Sequence, residues 1–225
     1  MPVPDHGSPK GGKLIILSAP SGGGKTTIAG ELLRLDPTLH RSISVTTRKQ
    51  RPGEIDGRDY FFISQQEFDR RLADGQLLEH TQIHGNHYGT PADYILQQLQ
   101  SGQKVLLVIE SLGMRQIKKR PELTDYLTAI FLLPVTMQEL WDRLAARPRT
   151  DALENQRRIQ NAYGEIAFYN EYDYIIVNRT IAESTALAYK IVTDDALGLQ
   201  ACRPNDLMVR THVADLLDQV VVQSL

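Results

Sequence analysis

Ten residues near the amino end concentrate groups suited to holding an anion: Ser18-Ala19-Pro20-Ser21-Gly22-Gly23-Gly24-Lys25-Thr26-Thr27. Glycines let the backbone curl until successive amides point inward at phosphate oxygens. The apolar run before this stretch reads as a strand and the pattern after it as a helix. A helix start adds free amides and the positive end of its dipole. In that setting Lys25 reaches terminal phosphates and the Thr26 hydroxyl takes a magnesium ion, so the stretch implies an ATP or GTP site. Ala19 stands where the pattern has its first glycine, and alanine demands an ordinary backbone angle there. The competing reading is a glycine-rich turn that binds nothing, and about five constrained positions in the right context weigh against it.

A second concentration follows in residues 44–60, with Ser44 and then Thr46-Thr47-Arg48-Lys49-Gln50-Arg51-Pro52-Gly53-Glu54. Arg48 and Arg51 can clamp a phosphate dianion, because guanidinium geometry allows paired hydrogen bonds. Tyr60 and Tyr88 add neutral donors for the same oxygens. Taken alone, the stretch reads equally well as a solvated basic loop. The six histidines, His40, His84 and His87 among them, show no metal-ligand spacing and read as surface or packing residues.

These groups need a scaffold. Strand candidates lie at 14–18, 42–45, 105–109, 129–133 and 174–177, and most are continuously apolar rather than alternating, which suits parallel strands covered on both faces. Helical patterns separate them, so an open α/β sheet with right-handed crossovers is expected. Ser64 with Glu67, Thr136 with Glu139, and Thr180 with Glu183 read as capping boxes at helix starts. Thr90-Pro91 reads as a cap and first-turn proline before a helix over 92–100. Between about 46 and 89 the pattern turns polar and aromatic, with short strands expected at 59–63, 77–83 and 87–89 around one helix. That region reads as a substrate-holding insertion. The Arg-rich stretch 143–158 lacks strand character and reads as a flap, and 213–222 suggests a short helix.

Composition bounds the rest. The chain of 225 residues is 41% hydrophobic and 23% charged, ordinary for one sizeable globular core. Its 25 Lys and Arg nearly balance 27 Asp and Glu, which gives no reason to expect a broad nucleic-acid or membrane surface. One cysteine, Cys202, cannot form an internal disulfide, so a reducing, cytoplasmic setting is expected. Residues 1–12 read as a loose tail without the apolar run of a signal peptide, and no run approaches the ~20 apolar residues that span a bilayer.

With these residues in view, the sequence resembles the guanylate kinase family over about residues 12–191. The likeness lies in the 19–27 loop, the 44–60 block, Leu77-Leu78-Glu79, Gly85-Asn86-His87-Tyr88-Gly89-Thr90, Arg147, Arg158, and Glu171-Tyr172-Asp173-Tyr174-Ile175-Ile176-Val177-Asn178. The resemblance implies a P-loop NTPase core of five parallel strands within residues 13–198, a GMP-binding insertion at about 46–89, a lid at about 143–158, and an extension at 199–225. It implies ATP and magnesium, with GMP as acceptor and dGMP a second candidate, in a monomer or homodimer. By position, Ala19, Pro20, Ser21, Gly22, Gly23, Gly24, Lys25, Thr26 and Thr27 match the ATP-binding loop, and Asn178 matches the place where adenine is received. Arg48, Arg51, Tyr60 and Tyr88 match the GMP phosphate site, with Glu54 among them. Ser44, Glu79, Thr90 and Glu110 match positions around the guanine. Lys25, Arg48, Arg147 and Arg158 match the charge-neutralising set for phosphoryl transfer, and Thr26 the magnesium ligand.

The resemblance has gaps. Val108-Ile109-Glu110-Ser111-Leu112-Gly113 stands where many members carry two acids spaced i, i+2 and then Gln-Gly, and Arg179 follows Asn178 where an acid is common. Three readings therefore stay open: an ATP:GMP phosphotransferase, a module of the same fold that recognises a partner without catalysis, and a kinase for another small phosphate. Guanine separates the first from the third, because its N1 and 2-amino donors lie along one edge where a single carboxylate accepts both. A buried acid facing adenine would lose those partners.

Overall fold

In the computed structural model, which describes residues 12–83, 85–146, 152–194 and 203–223, four of the five expected strands of the main sheet form where the sequence places them. β1 (Lys13–Ser18) leads into α1 (Lys25–Leu35), and β2 (Leu39–Arg41) follows. A small sheet comes next in the chain, and then β7 (Lys104–Val108), β8 (Leu127–Leu133) and β9 (Tyr174–Val177) complete a five-stranded sheet in the order β2-β7-β1-β8-β9. β2 pairs with β7 and β8 with β9 in parallel, the latter in register from Ile130 opposite Tyr174 to Leu133 opposite Val177. Residues 14–17, 105–107 and 129–133 are wholly buried. Coverage of both faces is why these strands carry no polar alternation.

The chain divides into two compact units, one of residues up to 15 with 38–107 and 112–127, the other of 16–37, 108–111 and 128 onward. The first contains the small sheet, ordered β4 (Phe61–Phe62), β3 (Val45–Thr46), β6 (Asn86–Pro91), β5 (Leu77–Ile83). Its helix α2 (Gln65–Ala73) buries Phe68 against Val45 and Leu77, with Ile63 at the rim. This unit also holds α3 (Ala92–Gln100). The second unit holds α1, α5 (Met137–Ala145), α6 (Ala152–Ile166), α7 (Ile181–Val192) and a carboxy-terminal helix, α8 (Leu207–Gln223). α4 (Ser111–Lys118) begins at the seam of this division.

All three expected caps form through their hydroxyls: the side chains of Ser64, Thr136 and Thr180 accept from the amides of Glu67, Glu139 and Glu183 at 3.1, 3.1 and 3.2 Å. The expected strand at 42–45 is instead a passage between sheets. Ser42 still donates to Leu106 at 2.9 Å in the β2–β7 ladder, while Val45 opens β3. The strand expected at 59–63 shrinks to Phe61–Phe62, because the Asp56 carboxylate takes the Phe62 amide at 2.9 Å and pins a turn before it. The expectation for Thr90 also changes. Pro91 is the cap of α3, and the Thr90 hydroxyl turns to Glu79. Most of the 143–158 stretch is helical, in α5 and α6, with 147–151 outside the described residues.

Candidate active site

In the second unit, β1 delivers the chain into the glycine-rich loop and α1 begins at Lys25. Gly22 and Gly24 have φ of 87° and 93°, angles that side chains rarely adopt. Gly24 is the cap of α1, and a β-carbon there would lie 2.6 Å from Asn178 Nδ2. Gly23 donates to the Pro20 carbonyl at 2.8 Å, closing the turn. Ala19 is buried and has no positive φ, so alanine fits this loop where the strict pattern has glycine.

The loop borders a cavity of about 480 Å³ lined by Pro20, residues 22–28, Arg143, and residues 178–181. Amides of a helix start, a lysine and two threonine hydroxyls thus face one space, with Arg143 and Arg179 adding positive charge. That is the donor set of a polyphosphate site. Asn178 lines it from below. Its amide nitrogen donates to the Gly23 carbonyl at 2.9 Å, and its oxygen accepts from Ser184 at 2.8 Å. One end of the amide therefore fixes the loop's backbone, while Ser184 of α7 holds the other. Among the described residues no group of three or more His, Cys, Asp and Glu could hold a metal ion. A hydroxyl such as that of Thr26, together with ligand phosphates, suits magnesium, which favours oxygen donors and keeps several waters.

A half-buried carboxylate accompanies the loop. Glu165, near the end of α6, has an oxygen that is buried without a hydrogen-bond partner. Burial pushes its pKa up to about 7, the nearby Lys25 charge opposes this, and Glu110 adds to it. Tyr172, pushed up to about 12 by burial, donates its hydroxyl to Ser111 at 2.9 Å. Glu165 carries no signal in the sequence, and neither the Arg-rich stretch that begins at Arg143 nor the unusual Arg179 shows there that it lines the loop's cavity. None carries a local motif, and each reaches the loop through tertiary structure.

In the first unit, the Arg48 guanidinium meets both oxygens of Glu54, at 2.7 and 3.0 Å, and donates to the Lys49 carbonyl at 2.7 Å. Each partner stabilises the other's charge: Glu54 raises the Arg48 pKa and Arg48 lowers that of Glu54. Glu54 also accepts from the Arg51 amide at 2.8 Å, so it fixes the turn that carries both arginines. Arg48 lies 5.4 Å from the Tyr60 ring centre and 5.7 Å from that of Phe62, and Tyr60 meets Tyr88 edge-on at 6.0 Å. Arg51 is exposed and Ser44 half-buried. On the same sheet Glu79 is 3% exposed and accepts from the Thr90 hydroxyl at 2.6 Å.

The predicted residues thus divide into two sets. Lys25, Thr26, Thr27 and Asn178 assemble in one unit, where Glu110 also belongs. Arg48, Arg51, Glu54, Tyr60, Tyr88, Glu79, Thr90 and Ser44 belong to the other. Arg158 pairs with Glu154 one turn away on α6, and Arg143 with Glu139 on α5. Arg147, His84 and Cys202 lie outside the described residues.

Against known proteins, the family model described as guanylate kinase matches residues 11–194. A guanylate kinase of Wolbachia pipientis wMel is 42% identical over 186 residues, covering 83% of this chain and 92% of its own. One of Trichormus variabilis is 44% identical over 172 residues, covering 76% and 84%. The crystal structure of guanylate kinase from Anaplasma phagocytophilum superposes with a TM-score of 0.68 at 33% identity, covering 86% of this chain and 89% of that one.

Proposed function

Because this chain belongs to the guanylate kinase family, we propose that it transfers the γ-phosphoryl group of ATP to GMP, giving ADP and GDP. The observation that carries this reading is Glu79, a carboxylate 3% exposed and held at 2.6 Å by Thr90, on the same sheet as the arginine-tyrosine cluster. A buried carboxylate at this place suits a ligand edge with two adjacent donors, the N1 and 2-amino pair that guanine has and adenine lacks.

In the reaction an oxygen of the GMP phosphate forms a bond to the γ-phosphorus as the bond to the bridging oxygen of ADP breaks. The nucleophile is already an anion, so no general base is needed, and alignment with charge neutralisation supplies the rate. The loop amides and Lys25 hold the donor's phosphates, and Arg143 adds charge from the cavity wall. Magnesium, when bound through Thr26, neutralises charge on the phosphate oxygens. Arg51, Tyr60 and Tyr88 hold the acceptor phosphate. Arg48 joins them with its fork aligned by Glu54, whose own carboxylate would repel a phosphate and so acts by orienting the arginine. Asn178 serves chiefly by fixing the Gly23 carbonyl, and Arg147 and Arg158 complete the positive charge.

Nothing in the acceptor set demands the ribose 2′-hydroxyl, so dGMP serves as a second acceptor. Among the described residues no helix is long and apolar enough to cross a membrane. A cytoplasmic setting fits the single cysteine. A coupled ADP-release assay with GMP, dGMP, AMP and a pentose bisphosphate tests the reading. GMP is expected to be strongly preferred, with turnover lost in Lys25→Ala. AMP outpacing GMP would overturn the acceptor assignment.

A further inference from the structure

Outside the stretch that matches the family lies α8, and its contacts are unlike those of a trailing helix. Val209, Val213 and Leu216 form a buried stripe, 7%, 3% and 0% exposed. The helix lies on α5 and α6. Polar contacts fix the start of α5 from this side. Met137 is the first residue of α5, and its amide is one of the orphan donors every helix start leaves. It donates to the Gln219 side-chain oxygen at 3.1 Å, while Thr136 takes the amide of Glu139. About two turns earlier on α8, His212 Nε2 lies 2.8 Å from the Pro134 carbonyl, so that nitrogen carries the proton and donates to the link between β8 and α5.

The other side of α5 faces the phosphate loop. A β-carbon on Gly22 would lie 3.2 Å from Leu140 Cδ1 and 3.3 Å from Leu144 Cδ2, so these leucines press on the loop where it turns. Both are wholly buried, and Arg143 between them lines the loop's cavity. A continuous contact path therefore runs from Gln219 and His212, through the first turn of α5, to the glycine that shapes the loop. Helices are stiff over three turns, so a shift at the start of α5 moves its leucines and Arg143 together.

We propose that Gln219 and His212 are positioning residues for the ATP site: α8 seats α5, and α5 sets the phosphate loop and Arg143. The inference rests on the reading of the loop as an ATP site. It gives the carboxy-terminal helix a role in donor binding and none in acceptor binding.

Trp141, the single tryptophan of the chain, lies on α5 and reports on this helix directly. The test is titration of the full chain with ADP, read by Trp141 fluorescence and by calorimetry, and in parallel with GMP, read by calorimetry. Gln219→Met keeps the side chain's length but removes the acceptor; it is expected to weaken ADP roughly fivefold, the scale of losing one helix-start acceptor, with GMP affinity unchanged. Gln219→Glu keeps an acceptor at a position where negative charge is favourable, and is expected to bind ADP as the unsubstituted chain does. Equal ADP affinity in Gln219→Met and the unsubstituted chain would overturn the proposal, as would equal weakening of ADP and GMP. Failure of the unsubstituted chain to bind ADP would instead overturn the functional reading itself.

Discussion

Glu79 and Glu165 are both carboxylates shielded from water, yet they ask for different things. Glu79 accepts from the Thr90 hydroxyl and sits on the small sheet, where the guanine is proposed to bind. Replacing it with Gln puts a donor where guanine presents donors, so kcat/KM for GMP should fall about 100-fold or more with the KM for ATP unchanged. Steady-state kinetics with each substrate varied in turn checks this. Arg51→Ala should likewise raise the KM for GMP far more than that for ATP, and equal effects would contradict the division of labour.

Glu165 makes a pH prediction. Its pKa rises from an ordinary 4.5 to about 7 on folding, chiefly through burial. Between those values the native chain holds a proton that the unfolded chain has released, so stability falls as pH climbs through the window. Below about pH 4.5 the group costs nothing, and above about pH 7 the full penalty applies, roughly 3 kcal/mol at most. Glu165→Gln should therefore raise Tm relative to the parent near pH 8 and leave it nearly unchanged near pH 5. A constant difference at both would show that the carboxyl is not titrating there.

At the scale of elements, local signals and tertiary ones separate cleanly. The loop at 18–27, the three helix caps and the buried strands were legible because each depends on near neighbours or on a simple apolar period. The 42–45 run misled because one short segment serves two sheets: Ser42 bonds to β7 while Val45 pairs with β6. Thr90 misled because a hydroxyl before proline looks like a cap, whereas here it serves a carboxylate eleven residues away in sequence. Glu165 gave no signal, while Arg143 stood out only as the start of an Arg-rich stretch and Arg179 only as a departure from the family pattern, since their relation to the loop comes from tertiary structure.

The loop itself gives the sharpest prediction at this scale. Gly24→Ala meets both a left-handed φ of 93° and the Asn178 amide at 2.6 Å. It should destabilise the protein by about 1–3 kcal/mol and weaken ADP while leaving GMP affinity nearly intact. Chemical denaturation and calorimetry on the same preparation check both halves.

At the scale of the whole molecule, the residues proposed for donor and acceptor belong to separate compact units. The near-balance of 25 basic and 27 acidic residues means that attraction for nucleotides comes from local clusters rather than from net charge. Binding of each nucleotide alone should accordingly be separable by mutation, whereas turnover should require both sets intact. The most direct test is to mix the purified chain with ATP, magnesium and GMP and follow phosphorus resonances, with Lys25→Ala as control. The account predicts that GDP and ADP appear in equal amounts with the parent chain and are abolished by the substitution. ADP appearing with free phosphate in place of GDP, or GMP left intact, would contradict it.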